Sequence, residues 1–359
     1  FLIDTAQGRI IRDDEIKRAL ASGAPYREWL DLHQASLSDL PDGDIRTDTE
    51  SLRHRQQAYG YTHEELKLLV TPMAKTAKEA IGSMGTDTPV AVLSNRSRLL
   101  FDYFQQLFAQ VTNPPLDAMR EEIITATLSW IGPEGNLLER TPTSCQQIVV
   151  EHAVLQNSEL AQIAALNAGP NDGGFRSTVI STLYRPGDGA GGMRSTLDRV
   201  RDAVDSAIAD GTNIIILSDR GTDTDNVGVP VAMATGAVHH HLVRTKSRSR
   251  VGLVVETAEA REVHHMAVLL GYGANAVNPY LAFESIDQLL AESMYGMPAD
   301  LTPEQAHINY VKACDKGLLK VMSKMGISTV KSYIGAQIFE AIGIGEEIMD
   351  QCFTGTTSR

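Results

Sequence analysis

The chain has 359 residues, 43% of them hydrophobic, which allows a large core and two or three domains. Its net charge of −13 at pH 7 excludes a nonspecific binder of nucleic acid or anionic membrane, since both need clustered Lys and Arg. Three scattered cysteines (Cys145, Cys314, Cys352) exclude a disulfide framework or a zinc-finger spacing and point to a reducing cytoplasm. No run of about 18 apolar residues offers a membrane span.

In chain order, FLID and Gly8 to Ile11 flank a Thr-Ala-Gln-Gly turn and predict a hairpin. Asp13 and Asp14 precede a helix over Glu15 to Ala21, where first-turn acids suit the dipole. Ser36 to Glu50 is polar, carries Pro41 and Gly43, and reads as a connector. Thr62 caps a helix over His63 to Leu69, which Thr71-Pro72 should stop. Gly82, Ser83, Met84, Gly85, Thr86, Asp87 and Thr88 then lead through Pro89 into an apolar strand, Val90 to Leu93. That turn chemistry exceeds what a simple connection needs. The loop either satisfies its own backbone with its hydroxyls and Asp87, or lines a ligand path or docks a neighbouring domain; its residues leave both open.

Leu99 to Val111 carries Leu100, Tyr103, Phe104, Leu107 and Phe108 at helical spacing, so an amphipathic helix with an aromatic core face is expected. Thr112 to Pro115 breaks it, and Ala118 to Trp130 resumes as helix before a Gly132 to Gly135 turn. Signals then weaken from Ser144 to Ser177. STVISTLY (Ser177 to Tyr184) is a strand polar enough for a sheet edge. Arg185 to Gly192 lacks the Gly-Lys-Ser/Thr ending of a phosphate loop and reads as a flexible entrance to the Leu197 to Ala209 helix.

The organising stretch follows: strand Asn213 to Ser218, helix Pro230 to Val243, strand Val251 to Glu256, helix Ala260 to Tyr272, and a third strand from Ala274. Strands apolar on both faces require a parallel sheet covered by helices, and right-handed crossovers leave an open doubly wound or a barrel-like sheet. Beyond Phe283, helices are expected over Ser285 to Tyr295 and Pro303 to Met325. The second carries a basic stripe (Lys312, Lys316, Lys320, Lys324) that suits solvent or a docking partner. A last strand at Ile327 to Tyr333 and a last helix at Ala336 to Ile342 close the series, and FTGTTSR shows no further element.

The consecutive histidines, His239 to His241 and His264-His265, point in different directions on a helix, so neither group can chelate one ion by itself; packing or capping roles are expected, with one histidine from each helix meeting at a metal as the alternative. Gly271-Tyr-Gly273 follows a helix where a dinucleotide loop follows a strand, and it lacks the third glycine.

DTAQGRII, YGYTHEEL, KEAIGSMGTDTPVAVLS, QVTNPPLDAMREE, GPEGNLLE, ILSDRG, TGAVHHHLVR, REVHHMAVLLGYGANAVNPYLAFE, KGLLKVMSKMGISTVKSY and GAQIFEAIG span nearly the whole chain. With them the chain resembles the central domain of the large (alpha) subunit of glutamate synthase. The resemblance implies an α/β fold: an incomplete (β/α) barrel-like parallel sheet related to the FMN-linked oxidoreductase barrel, with extra helices. It implies a connector from an amidotransferase domain over residues 1–45, the central domain over 46–345, and a linker toward an FMN domain over 346–359.

In that family the whole enzyme makes two glutamates from glutamine, 2-oxoglutarate and reductant, passing ammonia through an internal tunnel from an N-terminal cysteine nucleophile to reduced FMN. The resemblance therefore implies partners within one polypeptide, the amidotransferase and FMN domains, and a small NADPH-oxidising subunit or ferredoxin through the parent. The location it implies is cytoplasmic, or plastid in a photosynthetic source. FMN and an iron–sulfur cluster belong to the parent. For this chain no cofactor, no metal and no turnover are expected, because it begins at Phe1, has three scattered cysteines, and offers Asn278-Pro279-Tyr280 where such a barrel grips phosphate. Ile81, Ser83, Met84, Gly85, Thr86 and Thr88 are placed at the tunnel wall, with Asp87 holding the turn. A free-standing β/α module binding FMN or another phosphorylated ligand stays open as the alternative.

Overall fold

In the computed structural model all residues are described except 46, 47, 80–84, 86–90, 92, 97, 108–116, 137 and 167–173. The expected hairpin forms: β1 (Leu2–Asp4) pairs antiparallel with β2 (Arg9–Ile11), and the Asp4 carboxylate accepts the N–H groups of Ala6 and Gln7 in the turn. Two surface helices follow, α1 (Asp13–Ala21) and α2 (Tyr26–His33), neither with a buried residue. After β3 (Ala35–Ser36) comes a 3-10 turn (Leu37–Asp39), and from there up to α3 (Leu52–Ala58) the described residues form no helix or strand, as the connector composition requires.

The next helix corrects its expected stop. Thr62 caps α4 (His63–Glu65) in a capping box with Glu65, but the helical run continues through a π-turn (Leu66–Val70) into α5 (Thr71–Thr76). Pro72 lacks the N–H for the regular ladder. The π-turn widens the helix just ahead of it, and the Thr71 hydroxyl donates to the Leu66 carbonyl at 2.7 Å, so the helix passes the proline.

Leu99 to Val111 is not a helix over its described part. A 3-10 turn (Leu100–Tyr103) leads into β4 (Phe104–Gln106). Phe104 packs edge-on against Tyr272, Phe339 and Phe353, partners far away in sequence that local periodicity cannot reveal. Ala118 to Trp130 splits into α6 (Ala118–Ile124), an isolated bridge at Ala126, and β5 (Ser129–Ile131). Two elements arise in the weak-signal region: β6 (Ile148–Val150), which pairs with β3 and β5, and α7 (Asn157–Ala165), entered through a Gln156/Glu159 capping box.

The parallel sheet then forms as expected. β7 (Ser177–Ser181) leads through the short β8 (Leu183–Tyr184) to the long helix α8 (Gly189–Ala209), which begins inside the glycine run. β9 (Ile214–Ser218), β10 (Val227–Gly228), α9 (Val231–Arg244), β11 (Gly252–Glu256), α10 (Val263–Gly271) and β12 (Ala276–Asn278) follow. The sheet has four strands in the order β12-β11-β9-β7, all parallel, with Ile216 of β9 in register with Val254 and Val179. The polar β7 stands at the edge, as its composition implied.

Alternation in β9 explains its unbroken apolar run. Ile214 and Ile216 face a core with Ile131, Ile148, Leu160 and Ile163 from β5, β6 and α7. Ile215 and Leu217 face Val200, Val204, Val238 and Leu242 of α8 and α9. Both faces are buried, so neither can be polar.

The chain closes with α11 (Tyr280–Ala291), α12 (Pro303–Lys324), α13 (Val330–Tyr333), β13 (Phe339–Ala341) and α14 (Glu346–Cys352). Two expected types are therefore exchanged: Ile327 to Tyr333 ends in a helix, and Ala336 to Ile342 holds a strand. The reason is again non-local. β13 is the antiparallel partner of β4, and the bridge of Ala341 to Ser358 brings the polar tail alongside it. All four lysines of the α12 stripe are exposed.

Candidate functional site

In α/β sheets, ligand crevices open at the carboxyl ends of the parallel strands. Here that end is charged and buried. β9 runs out into Ser218, Asp219 and Arg220, β11 into Glu256 to Glu259, and β12 into Asn278. The Arg220 Nε donates to Glu256 at 2.6 Å and its Nη1 to Glu284 of α11 at 3.1 Å, while its guanidinium lies 4.0 Å above the Tyr280 ring. Glu284 also accepts from Arg55 of α3, and the Ser218 hydroxyl donates to Glu256. Two guanidinium groups and two carboxylates thus neutralise one another over the sheet end.

Beside this network Asp219 is 1% exposed. It accepts from the Thr257 hydroxyl at 2.6 Å and the Ala258 N–H at 3.0 Å. Burial pushes its carboxyl up to about 7, against the pull of those donors. Glu259, placed where the Val231 N–H at the start of α9 reaches both its oxygens at 3.3 Å, is pushed up to about 8 by burial and then by Asp219. Arg261, 2% exposed, donates to the carbonyls of Tyr59 and Gly60 and to Glu65 at 2.9 Å, and lies over the Tyr61 ring at 4.3 Å. It ties the α3–α4 turn to the sheet. A cavity of about 420 Å³ opens beside this end, with Asp42, Asp44, Arg220, Glu256, Asn157 and Asn278 on its polar wall and Val179, Ile216 and Leu160 on its apolar wall. Gly43 closes it against α7; a Cβ there would stand 2.0 Å from the Ala161 carbonyl oxygen, so only glycine fits.

These groups do not fit a flavin phosphate. Pro279 caps α11 without an N–H, Tyr280 lies under Arg220, and the Asn278 amide donates to the Leu155 carbonyl and to Asn157, both at 2.9 Å. A phosphate dianion would face Glu256 and Glu284 with the arginines already engaged.

The histidines part company as their spacing requires. His239 accepts from Arg248, His240 contacts Gln337 at 3.0 Å, and His241 pairs with Asp205 at 2.8 Å. His264 contacts the Phe101 carbonyl, and His265 pairs with Glu262 while stacking on Phe101 at 4.3 Å. Among the described residues no group of three or more His, Cys, Asp or Glu could hold a metal ion. No helix among them is long and apolar enough to cross a membrane.

Of the tunnel candidates, Ile81, Ser83, Met84, Thr86, Asp87 and Thr88 lie outside the described residues, as do Val90 and Val92 of the expected Val90 to Leu93 strand, whose described residues Ala91 and Leu93 are not in a strand. Gly85 is described. It is half-buried with φ +79°, and a Cβ on it would lie 2.9 Å from the His264 Nδ1, so backbone angle and space both call for glycine.

Residues 54–345 match the family described as the glutamate synthase central domain. The chain belongs to that family. Over its whole length the central domain is 42% identical to glutamate synthase [NADH] of Schizosaccharomyces pombe, covering 17% of that protein. It is 41% identical to the glutamate synthase [NADPH] large chain of Bacillus subtilis, covering 23%. Over 99% of its length it is 38% identical to ferredoxin-dependent glutamate synthase 2 of Synechocystis, again covering 23%. It therefore spans about a fifth of these relatives, which are oxidoreductases. A solved flavocytochrome b2 covers 43% of the chain, and the chain 32% of it, at 13% identity and a TM-score of 0.32; a likeness that slight carries no argument.

Sequence reasoning missed the charged plug of the central domain: Arg55, Asp219, Arg220, Glu256, Glu259 and Glu284. The signal was available, because SDR and ETAE follow directly on two strands whose interiors are wholly apolar. Charge at that boundary marks the carboxyl end of the sheet.

Proposed function

We propose that this chain is the connecting domain of a glutamate synthase, joining a glutamine amidotransferase domain to an FMN/2-oxoglutarate domain and helping to wall the passage through which ammonia crosses between them. Residues 1–45 serve as the connector from the amidotransferase side and 346–359 as the linker toward the FMN domain. The parallel sheet is read as an incomplete (β/α) barrel whose own cofactor end is filled by protein. The chain itself turns over nothing; FMN, the iron–sulfur cluster and the contacts with a reductant-supplying subunit or ferredoxin belong to the rest of the enzyme.

The observation that carries the passage is Gly85, the described residue of GSMGTDTP. Its left-handed backbone packs on His264, whose ring burial and the Phe101 carbonyl hold in place. A dry, narrow wall suits ammonia, which is lost by protonation on meeting bulk water. Glycine gives such a wall its close approach, Ile81 and Met84 would exclude water, Ser83, Thr86 and Thr88 would offer hydrogen bonds, and Asp87 would hold the turn.

Gly85→Val in the whole enzyme tests this. Glutaminase chemistry should persist, glutamate formation from glutamine should fall about tenfold or more, and formation from added ammonium should fall much less. Equal loss from both nitrogen sources, or from neither, would make the loop purely structural.

A further inference from the structure

The opposite end of the sheet carries a different electrostatic arrangement. The run Arg244, Thr245, Lys246, Ser247, Arg248, Ser249, Arg250 places a base at every second residue with no acid between, in a chain of net charge −13. It joins α9 to β11 and borders a cavity of about 450 Å³. Lys246, Arg248 and Lys331 line this cavity, Glu134 is the one carboxylate among its described lining residues, and Leu242, Val243 and Ile334 form an apolar arc.

Arg248 is anchored by neutral groups, which engage four of its five N–H donors and leave one for a ligand. Its Nε donates to the His239 Nδ1 at 3.2 Å, and its terminal nitrogens donate to the Val251 carbonyl at 2.8 Å, the Gly273 carbonyl at 2.8 Å and the Asn275 Oδ1 at 3.1 Å. Every one of these acceptors is neutral. Glu134, the one carboxylate among the described lining residues, lies 3.7 Å from Lys331 and acts on Arg248 only through space. Burial and then Arg248 hold His239 neutral, with its pKa pushed down to about 3. Because its Nδ1 accepts, its proton sits on Nε2, and its ring is part of the cavity lining.

Lys246 provides the independent observation. It occupies the left-handed position that ends α9, with φ +60°. Its N–H bonds to the Val243 carbonyl at 3.2 Å, and the Ser247 N–H bonds to the Leu242 carbonyl at 2.8 Å. This is the glycine position of a Schellman ending, where a lysine is strained. The same two bonds satisfy carbonyls at the helix end, so the lysine charge is not needed to cap it.

We propose that this cavity binds a small organic oxyanion, a phosphate monoester or a carboxylate on a partly apolar body. Lys246, Lys331, Arg248 and His239 supply the donors, and Leu242, Val243 and Ile334 contact the apolar part. The inference stands apart from the passage at Gly85.

Isothermal titration of the 359-residue protein with phenyl phosphate, and separately with glutarate, tests it and distinguishes the two anion sources. At least one should bind saturably near 1:1 with a dissociation constant of about 1 mM or tighter, and weaken as sodium chloride rises. Lys246→Gly should raise the melting temperature by relieving the strained position while weakening binding about tenfold. Lys331→Met should weaken binding without raising the melting temperature, and Lys316→Met, on the distant α12 stripe, should leave it unchanged. Absence of saturable binding of either anion to about 10 mM overturns the proposal. So does equal weakening by Lys316→Met, or undiminished binding in Lys246→Gly.

Discussion

The two ends of the parallel sheet solve the same problem in opposite ways. At the carboxyl end, Arg55 and Arg220 are matched by Glu256 and Glu284, and an aromatic ring underlies Arg220. At the amino end, Arg248 donates to neutral acceptors, with Lys246 and Lys331 beside it. A matched end holds a fold together and leaves little attraction for a charged ligand; an end where Lys246, Arg248 and Lys331 share Glu134 keeps that attraction. In this chain the place where α/β proteins usually bind ligands has become a plug.

The largest effect should come from unmatching the plug. Glu284→Ala leaves Arg55 and Arg220 without their shared carboxylate, and chemical denaturation should show a loss of about 3–5 kcal/mol, the scale for one partner removed from a buried pair. A loss below about 1 kcal/mol would place that network in effective contact with water.

The next effect is a pH dependence. Asp219 and Glu259 have folded pKa values raised from 3.8 to about 7 and from 4.5 to about 8. Between those limits the folded state holds protons that the unfolded state has released. Their contribution to stability is therefore complete below about pH 4 and is lost as pH rises through 7 and 8, with a slope approaching about 1.4 kcal/mol per pH unit for each proton. Asp219→Asn should flatten the decline in stability between pH 5 and 8; an unchanged slope would assign the dependence to other groups.

The smallest effect belongs to the amino end. Lys246→Gly should stabilise the protein by about 1 kcal/mol, since the left-handed position is strained for any residue with a Cβ. Replacement by Ala keeps the strain and should give no such gain.

What could be read from the sequence follows how local its causes are. β9 and β11 were legible from their unbroken apolar runs, β7 from a polar strand pattern suited to an edge, and α9, α10 and α12 from helical spacing and composition. The β4–β13 pair was not, because its stability comes from Phe104 meeting Phe339 and Phe353 across more than half the chain. Helical spacing in Leu99 to Val111 was real but had no consequence once those partners were present. The Pro72 stop failed for a local reason, the π-turn, which leaves no mark in composition. Family membership was legible from the motifs, whereas the charged plug needed the sheet to bring Arg55, Arg220 and Glu284 together.

On this account the carboxyl end of the sheet is filled by its own side chains and closed to a flavin phosphate. Titration of the purified protein with FMN, followed by quenching of flavin fluorescence and by equilibrium dialysis, measures this. The account predicts no saturable binding up to about 100 μM. Saturable binding at micromolar FMN, abolished by a substitution at Arg220, would contradict it and make this chain a cofactor-binding module.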